Sequence, residues 1–291
     1  MVDDDEPWLQ RLDGRMFALL FAAALVGWMF VIGMLGGLVA VLVLVAQGRE
    51  PSSDALYEVL YTPLVLGSVT VVQMLGMAAV TLGLARARGM SWGASLALGG
   101  PRRGWMLLTA LVAGASVGPL AGLVAQEVER IFEPLGIFSS AQLVEMGRAL
   151  AEGPLLPRLP LLAAVLIGAP LVEELVFRGL LWSALAERMP PRAVWLVTSL
   201  AFAGYHMDPL HMVAILPTAL VIGWLRLHSG SLWPGVLAHF ANNVNGVLWI
   251  LVLGPEAEQS VTLPLAAGCL LLTLLACAAM LLGREDPAIP G

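Results

Sequence analysis

An all-α polytopic membrane protein, a bundle of about eight transmembrane helices, is the fold class that this sequence predicts. Three observations lead there. Of 291 residues, 59% are hydrophobic and only 12% charged, with mean hydropathy +0.86, whereas charged residues alone make up about a quarter of a soluble domain. The apolar residues gather in runs approaching the ~20 residues that a spanning helix needs. The arginines then fall unevenly on the two sides those runs define.

The runs cover 16–46, 57–85, 105–125, 159–185, 193–207, 211–227, 231–253 and 261–283. The fifth and sixth are short and separated only by "MDP", so they read as two tilted or partly re-entrant helices. All fifteen basic residues are arginine. The side holding both termini collects Arg11, Arg15, Arg86, Arg88, Arg102, Arg103, Arg188, Arg192, Arg226 and Arg284, against Arg49, Arg130, Arg148 and Arg158 opposite. Cytoplasmic loops carry the arginine excess, so both termini are expected in the cytoplasm. Arginine in place of lysine, with abundant alanine and leucine, suits a GC-rich bacterial genome, hence a bacterial inner membrane. The first run exceeds the 7–15 residues of a signal-peptide core, so no cleaved targeting segment is expected. A net charge of −6 argues against a nucleic-acid partner.

The connection 126–158 is the one long interruption. Ser139 and Gln142 resemble a capping box, and Leu143, Met146 and Leu150 recur at helical spacing. A short amphipathic helix on the non-cytoplasmic interface is expected there. Gly33-x-x-x-Gly37 is a small-residue pattern suited to close helix packing, read here as packing within the chain. Cys269 and Cys277, eight apart on the last run, are separated by about 12 Å along a helix, too far for a disulfide.

The segment "LVEELVFRGLLWSAL", 171–185, sets Glu173, Glu174 and Arg178 inside an apolar run. Each charge at a helix centre costs about 2.5 to 3.5 kcal/mol on insertion scales, and an ionisable residue at that depth is a functional hypothesis. Glu174 and Arg178 are four apart in the favourable order for a helical ion pair. Glu173, about 100° around the helix, has no local counter-ion. Later runs offer partners: His206 in "SLAFAGYHMDP", then His239, Asn242, Asn243 and Asn245 in "PGVLAHFANNVNG". At 1.5 Å per residue from the cytoplasmic ends, Glu173 lies about 18 Å deep, His206 about 20 Å, His239 about 12 Å and Asn243 about 18 Å. Their levels are compatible. His211 and His228 read as boundary residues.

A desolvated carboxylate has a raised pKa and takes a proton from water near neutrality. An imidazole shares that task or protonates the leaving amine, while a second imidazole and an amide N–H stabilise an oxyanion. These groups describe amide hydrolysis by activated water. Glu173, His206 and His239 would also form a two-histidine, one-carboxylate zinc set, and spacing leaves the two mechanisms open. A catalytically silent scaffold or immunity protein and an ion-coupled transporter are the competing classes. The missing internal repeat disfavours the last.

The motifs E-E-x-x-x-R (Glu173, Glu174, Arg178), F-x-x-x-H (Phe202, His206) and H-x-x-x-N (His239, Asn243) occur in order over residues 170–246. With them, the sequence resembles the CPBP family, also called the Abi or CAAX protease and bacteriocin-processing family, whose eukaryotic relatives include the type II CAAX prenyl endopeptidase Rce1. The resemblance implies an eight-helix bundle with its site in a cavity open toward the cytoplasm. It implies that Glu173 and His206 activate water, that His239 and Asn243 form the oxyanion site, and that Glu174, Arg178 and Phe202 support them. It implies a membrane-embedded or lipidated peptide substrate, as in CAAX, sorting-tail or bacteriocin processing. Family members are often labelled metalloproteases, although the glutamate-dependent reading requires no cofactor. The chain then divides into an N-terminal transmembrane region (1–158), a catalytic core (159–253) and a C-terminal transmembrane helix (254–291).

Overall fold

The computed structural model describes residues 8–132, 135, 141–254 and 261–282. Eleven helices follow one another there: α1 Gly14–Ala46, α2 Ser53–Leu60, α3 Pro63–Ala87, α4 Trp92–Ser95, α5 Trp105–Phe132, α6 Ala141–Ala151, α7 Leu155–Ala186, α8 Pro191–Tyr205, α9 Pro209–Ser229, α10 Trp233–Leu253 and α11 Leu263–Leu282. The described residues contain no strand. The expected amphipathic helix of the 126–158 connection is α6, with Leu150 buried. Ser139 of the capping box lies outside the described residues.

Among the described residues, seven helices are long and apolar enough to cross a membrane. The expected span 193–207 is the 15-residue α8, shorter than a full crossing of about 20 residues. It ends because Met207 takes a left-handed φ of 56°, which reverses the chain, and because Asp208 caps α9 by accepting from the His211 N–H at 2.7 Å. Large apolar side chains cover the outer faces, among them Leu19, Phe30 and Met34 on α1 and Leu271 and Leu275 on α11. In water such a surface would aggregate; against acyl chains it is the expected lining.

Small residues set the helix spacing. A Cβ on Gly114 of α5 would fall 2.0 Å from the Ala238 carbonyl oxygen of α10, and one on Gly67 of α3 would fall 2.4 Å from the Leu161 nitrogen of α7. Gly33 and Gly37 do not serve this purpose. A Cβ on either would meet no other side chain or helix within 4 Å, whereas one on Gly36 would meet Leu60 and Val69. The reading of that motif as intramolecular packing is corrected accordingly: both faces of α1 are apolar, so hydropathy carried no information about which glycine turns inward.

Polar contacts divide the bundle into two ends. At one, Gln10 donates to the Ala87 carbonyl, Arg88 pairs with Glu187 at 2.7 Å, Ser183 bonds the Ser95 carbonyl, and Thr109 reaches the Met280 sulfur at 3.1 Å. This end carries the beginning of α1 and the end of α11, with most of the arginines. At the other lie α2, with its Arg49–Glu58 pair, and α6, where Arg158 donates to the Leu150 and Ala151 carbonyls. Asp208 and Glu145 are both within electrostatic range of the Tyr61 hydroxyl there.

Candidate functional site

Helix α7 carries the site and is not a regular α-helix. Its turns widen to π geometry at Ala164–Gly168 and again at Leu175–Leu181. Pro170, just after the first, has no N–H to offer residue 166 and would clash with that carbonyl in a regular turn. Wider turns free carbonyls and occur at functional sites. Side chains from other helices bind the freed groups: Asn243 of α10 donates to Val165 O at 2.8 Å, and Arg226 of α9 to Arg178 O at 3.1 Å.

Glu173, Glu174, Arg178 and His239 are all buried. Arg178 donates to Glu174 Oε1 at 3.2 Å and to the Ala219 carbonyl at 2.9 Å, with its guanidinium 4.5 Å from the centre of the Phe202 ring. This is the expected Glu174–Arg178 pair, with a third member. His239 Nδ1 lies 3.1 Å from the same Glu174 oxygen. A carboxylate oxygen that already accepts from Arg178 can only accept again, so Nδ1 carries the hydrogen. The other nitrogen, Nε2, lies 3.9 Å from Glu173 Oε2. Among the described residues Glu173 accepts no hydrogen bond at all.

Gly235 permits this approach: a Cβ there would sit 3.2 Å from Glu174 Oε2 and 3.3 Å from Ile222. Phe202, fully buried, is the common wall. Its ring meets those of His206 at 5.2 Å and His239 at 5.6 Å, both edge-on. His206 follows the last residue of α8, and its Nδ1 is 3.0 Å from the Phe202 carbonyl. A carbonyl only accepts, so this nitrogen is also protonated and Nε2 is left bare.

The structure thus joins Glu173, Glu174, Arg178, Phe202 and His239 in direct contact, ties His206 to them through Phe202, and fixes Asn243 on the first π turn. Asn242 reaches Asn243 Oδ1 at 3.5 Å, while Asn245 turns to the Ala115 carbonyl at 3.2 Å. His211, set aside in the sequence as a boundary residue, packs its ring 4.4 Å from that of His206. The dipeptide Met207–Asp208, a turn signal before a capped helix, was the clue to that contact. His228 lies at a helix end against Trp224, as expected, and Cys269 and Cys277 are free thiols. Among the described residues no three His, Cys, Asp or Glu side chains are grouped to hold a metal ion. Glu173 and His239 face each other, but His206 does not complete a ligand set with them.

Beside the cluster is a cavity of about 160 Å³ between α5, α6, α9 and α10. His211 and Asn242 stand in its wall, so it adjoins the cluster through His206 and Asn243. Glu173, His206, His239 and Asn243 are not among its lining residues. The Thr218 hydroxyl, also lining it, is 1% exposed and has no hydrogen-bond partner among the described residues.

Residues 155–245 match the family model described as Rce1-like, type II CAAX prenyl endopeptidase. The matched interval contains Glu173, Glu174, Arg178, Phe202, His206, His239 and Asn243. No curated protein and no solved structure matches the chain.

Proposed function

We propose that the chain, whose residues 155–245 match the Rce1-like family model, is an intramembrane endopeptidase that hydrolyses a peptide bond in a membrane-embedded or lipidated substrate with water activated by Glu173. The observation that carries this reading is the Glu173 carboxylate itself: buried, without a hydrogen bond, and facing a histidine nitrogen across 3.9 Å. With no hydrogen bond accepted from a described residue, its oxygens are open to one from an attacking water.

Glu173 takes a proton from water as the oxygen attacks the carbonyl carbon. His239, held by Glu174 at Nδ1 much as an aspartate holds the histidine of a serine-protease triad, donates to the oxyanion when Nε2 also carries a hydrogen. The second N–H of the Asn243 amide, whose first is fixed on Val165 O, adds to that donation. His206 presents a bare Nε2 that shares the proton and passes it to the leaving amine. Every step uses side chains of this chain, and no metal is invoked. Chelation is expected to leave activity intact in protein shown by elemental analysis to be metal-free.

Membrane proteomes of cells with the native protein and with Glu173→Ala test the reading. Precursors that lose a terminal segment only with the native protein are expected. A phenotype that persists with Glu173→Ala and no shortened precursor would establish the scaffold or immunity role instead.

A further inference from the structure

The arginine-rich end of the bundle carries a groove that the catalytic cluster does not use. It is a hollow of about 840 Å³ between the start of α8 and the last turns of α9 and α11, within the ~300 to 1,000 Å³ of ligand pockets. Its walls are largely aromatic and apolar. Trp195 of α8 and Trp224 of α9 meet edge-on with ring centres 5.6 Å apart, and the His228 ring lies 3.9 Å from that of Trp224. Both indole N–H groups are spent inside the protein, Trp195 on the Leu220 carbonyl at 2.9 Å and Trp224 on the Cys277 carbonyl at 3.3 Å. What the rings leave to an occupant is therefore apolar surface, continued by Leu227 and the exposed Leu281. One lining residue differs. Arg192, in the first turn of α8, is exposed and makes no hydrogen bond or ion pair among the described residues. Glu187, the nearest acid in sequence, is committed to Arg88 at 2.7 Å.

An apolar trough with an uncommitted cation in its wall suits an amphiphile: a chain for the rings and leucines, an anion for the guanidinium. At a bilayer surface that amphiphile is a phospholipid. A guanidinium matches the phosphate in geometry as well as charge, and basic pockets between the ends of membrane helices take anionic head groups. We propose that the groove holds one anionic phospholipid, its phosphate on Arg192 and an acyl chain along Trp195, Trp224 and Leu281. This stands apart from the protease reading, because no step of the hydrolysis uses these residues.

Native mass spectrometry of the full chain released from detergent micelles tests this. Titration with phosphatidylglycerol, or with phosphatidylcholine of the same acyl chains, counts the bound lipid and gives the affinity of the first copy. The native chain is expected to prefer phosphatidylglycerol. Arg192→Gln is expected to lower that affinity about five-fold, the share of one interfacial arginine, and to abolish the preference. Leu281→Glu, which sets a charge on the chain's path, should weaken the binding of both lipids. Arg102→Gln removes an exposed arginine of the same end outside the groove and should change nothing. All three positions are exposed, so the variants are expected to fold. Equal affinity of the native chain for the two lipids overturns the proposal, as does native-like binding of phosphatidylglycerol by Arg192→Gln or by Leu281→Glu. An equal loss in Arg102→Gln overturns it too, assigning the effect to diffuse surface charge. So does displacement of the lipid by excess inorganic phosphate, which would make the groove a site for a free anion.

Discussion

Glu173 and Glu174 are neighbours in sequence, yet the two sides of α7 on which they lie are built on different principles. On the Glu174 side, charge is cancelled: Arg178 and His239 both donate to one oxygen, and the Ala219 carbonyl takes a further guanidinium N–H. On the Glu173 side nothing is cancelled, and a buried carboxylate faces an imidazole nitrogen 3.9 Å away. A fold gains stability from the first arrangement and gains chemistry from the second. Glu174 Oε2 and Arg178 Nε keep no hydrogen-bond partner among the described residues, so what separates the two sides is the cancelled charge.

Substituting each carboxylate separates the two roles. Glu173→Gln keeps the shape and removes the base, so cleavage in detergent or proteoliposomes is expected to fall by ~10²- to 10⁴-fold. Thermal unfolding followed by circular dichroism should hardly move, because no hydrogen bond is lost. A large drop in melting temperature would mean that Glu173 belongs with the structural side after all.

Arg178→Met acts in the opposite sense. It leaves Glu174 buried with His239 alone, and breaking one partner of a buried pair costs about 3 to 5 kcal/mol. Guanidinium unfolding in micelles should record that loss. The double variant Glu174→Gln, Arg178→Met should be less destabilised than Arg178→Met, since no uncompensated charge remains. If the double variant is the worse of the two, the pair is not the unit that the geometry describes.

Between these extremes lies Asn243, which serves both sides. Asn243→Leu removes the bond to Val165 O, worth ~0.5 to 1.5 kcal/mol net, and one oxyanion donor, worth ~10²- to 10³-fold in kcat. A loss confined to stability would detach Asn243 from catalysis.

These contrasts also mark what the sequence made legible. The pairing of Glu174 with Arg178 follows from a four-residue spacing on one helix, and the isolation of Glu173 follows from the same geometry. Both are local facts. That His239 reaches Glu174 as well as Glu173 depends on how closely α10 approaches α7, which Gly235 permits through space. No periodicity reports that. His211 was set aside for a similar reason: only the left-handed Met207 brings the start of α9 back against His206. The π turns of α7 had one local sign, Pro170 in mid-run, but which carbonyls they free and who binds them are tertiary facts. On α1 the sequence pointed at Gly33 and Gly37 while Gly36 does the packing. A helix apolar on every face tells hydropathy nothing about its partner.

The smallest expected effect sharpens the comparison most finely. Thr218 sits one residue before Ala219, whose carbonyl anchors Arg178, yet its own hydroxyl is buried against the cavity without a partner among the described residues. An unsatisfied buried hydroxyl costs about 1 to 3 kcal/mol, so replacing it with a methyl group of similar size relieves a penalty. Thr218→Val is expected to leave the melting temperature in micelles unchanged or to raise it, with the Glu174 layer intact. If the hydroxyl exists to meet a substrate, the same variant should raise KM for a membrane peptide by a few-fold while kcat changes little, because an interaction made equally in ground and transition states affects binding alone. A fall in stability would instead show that Thr218 belongs to the satisfied side of the bundle, and the boundary between the two regions would move from the cavity wall into the cavity.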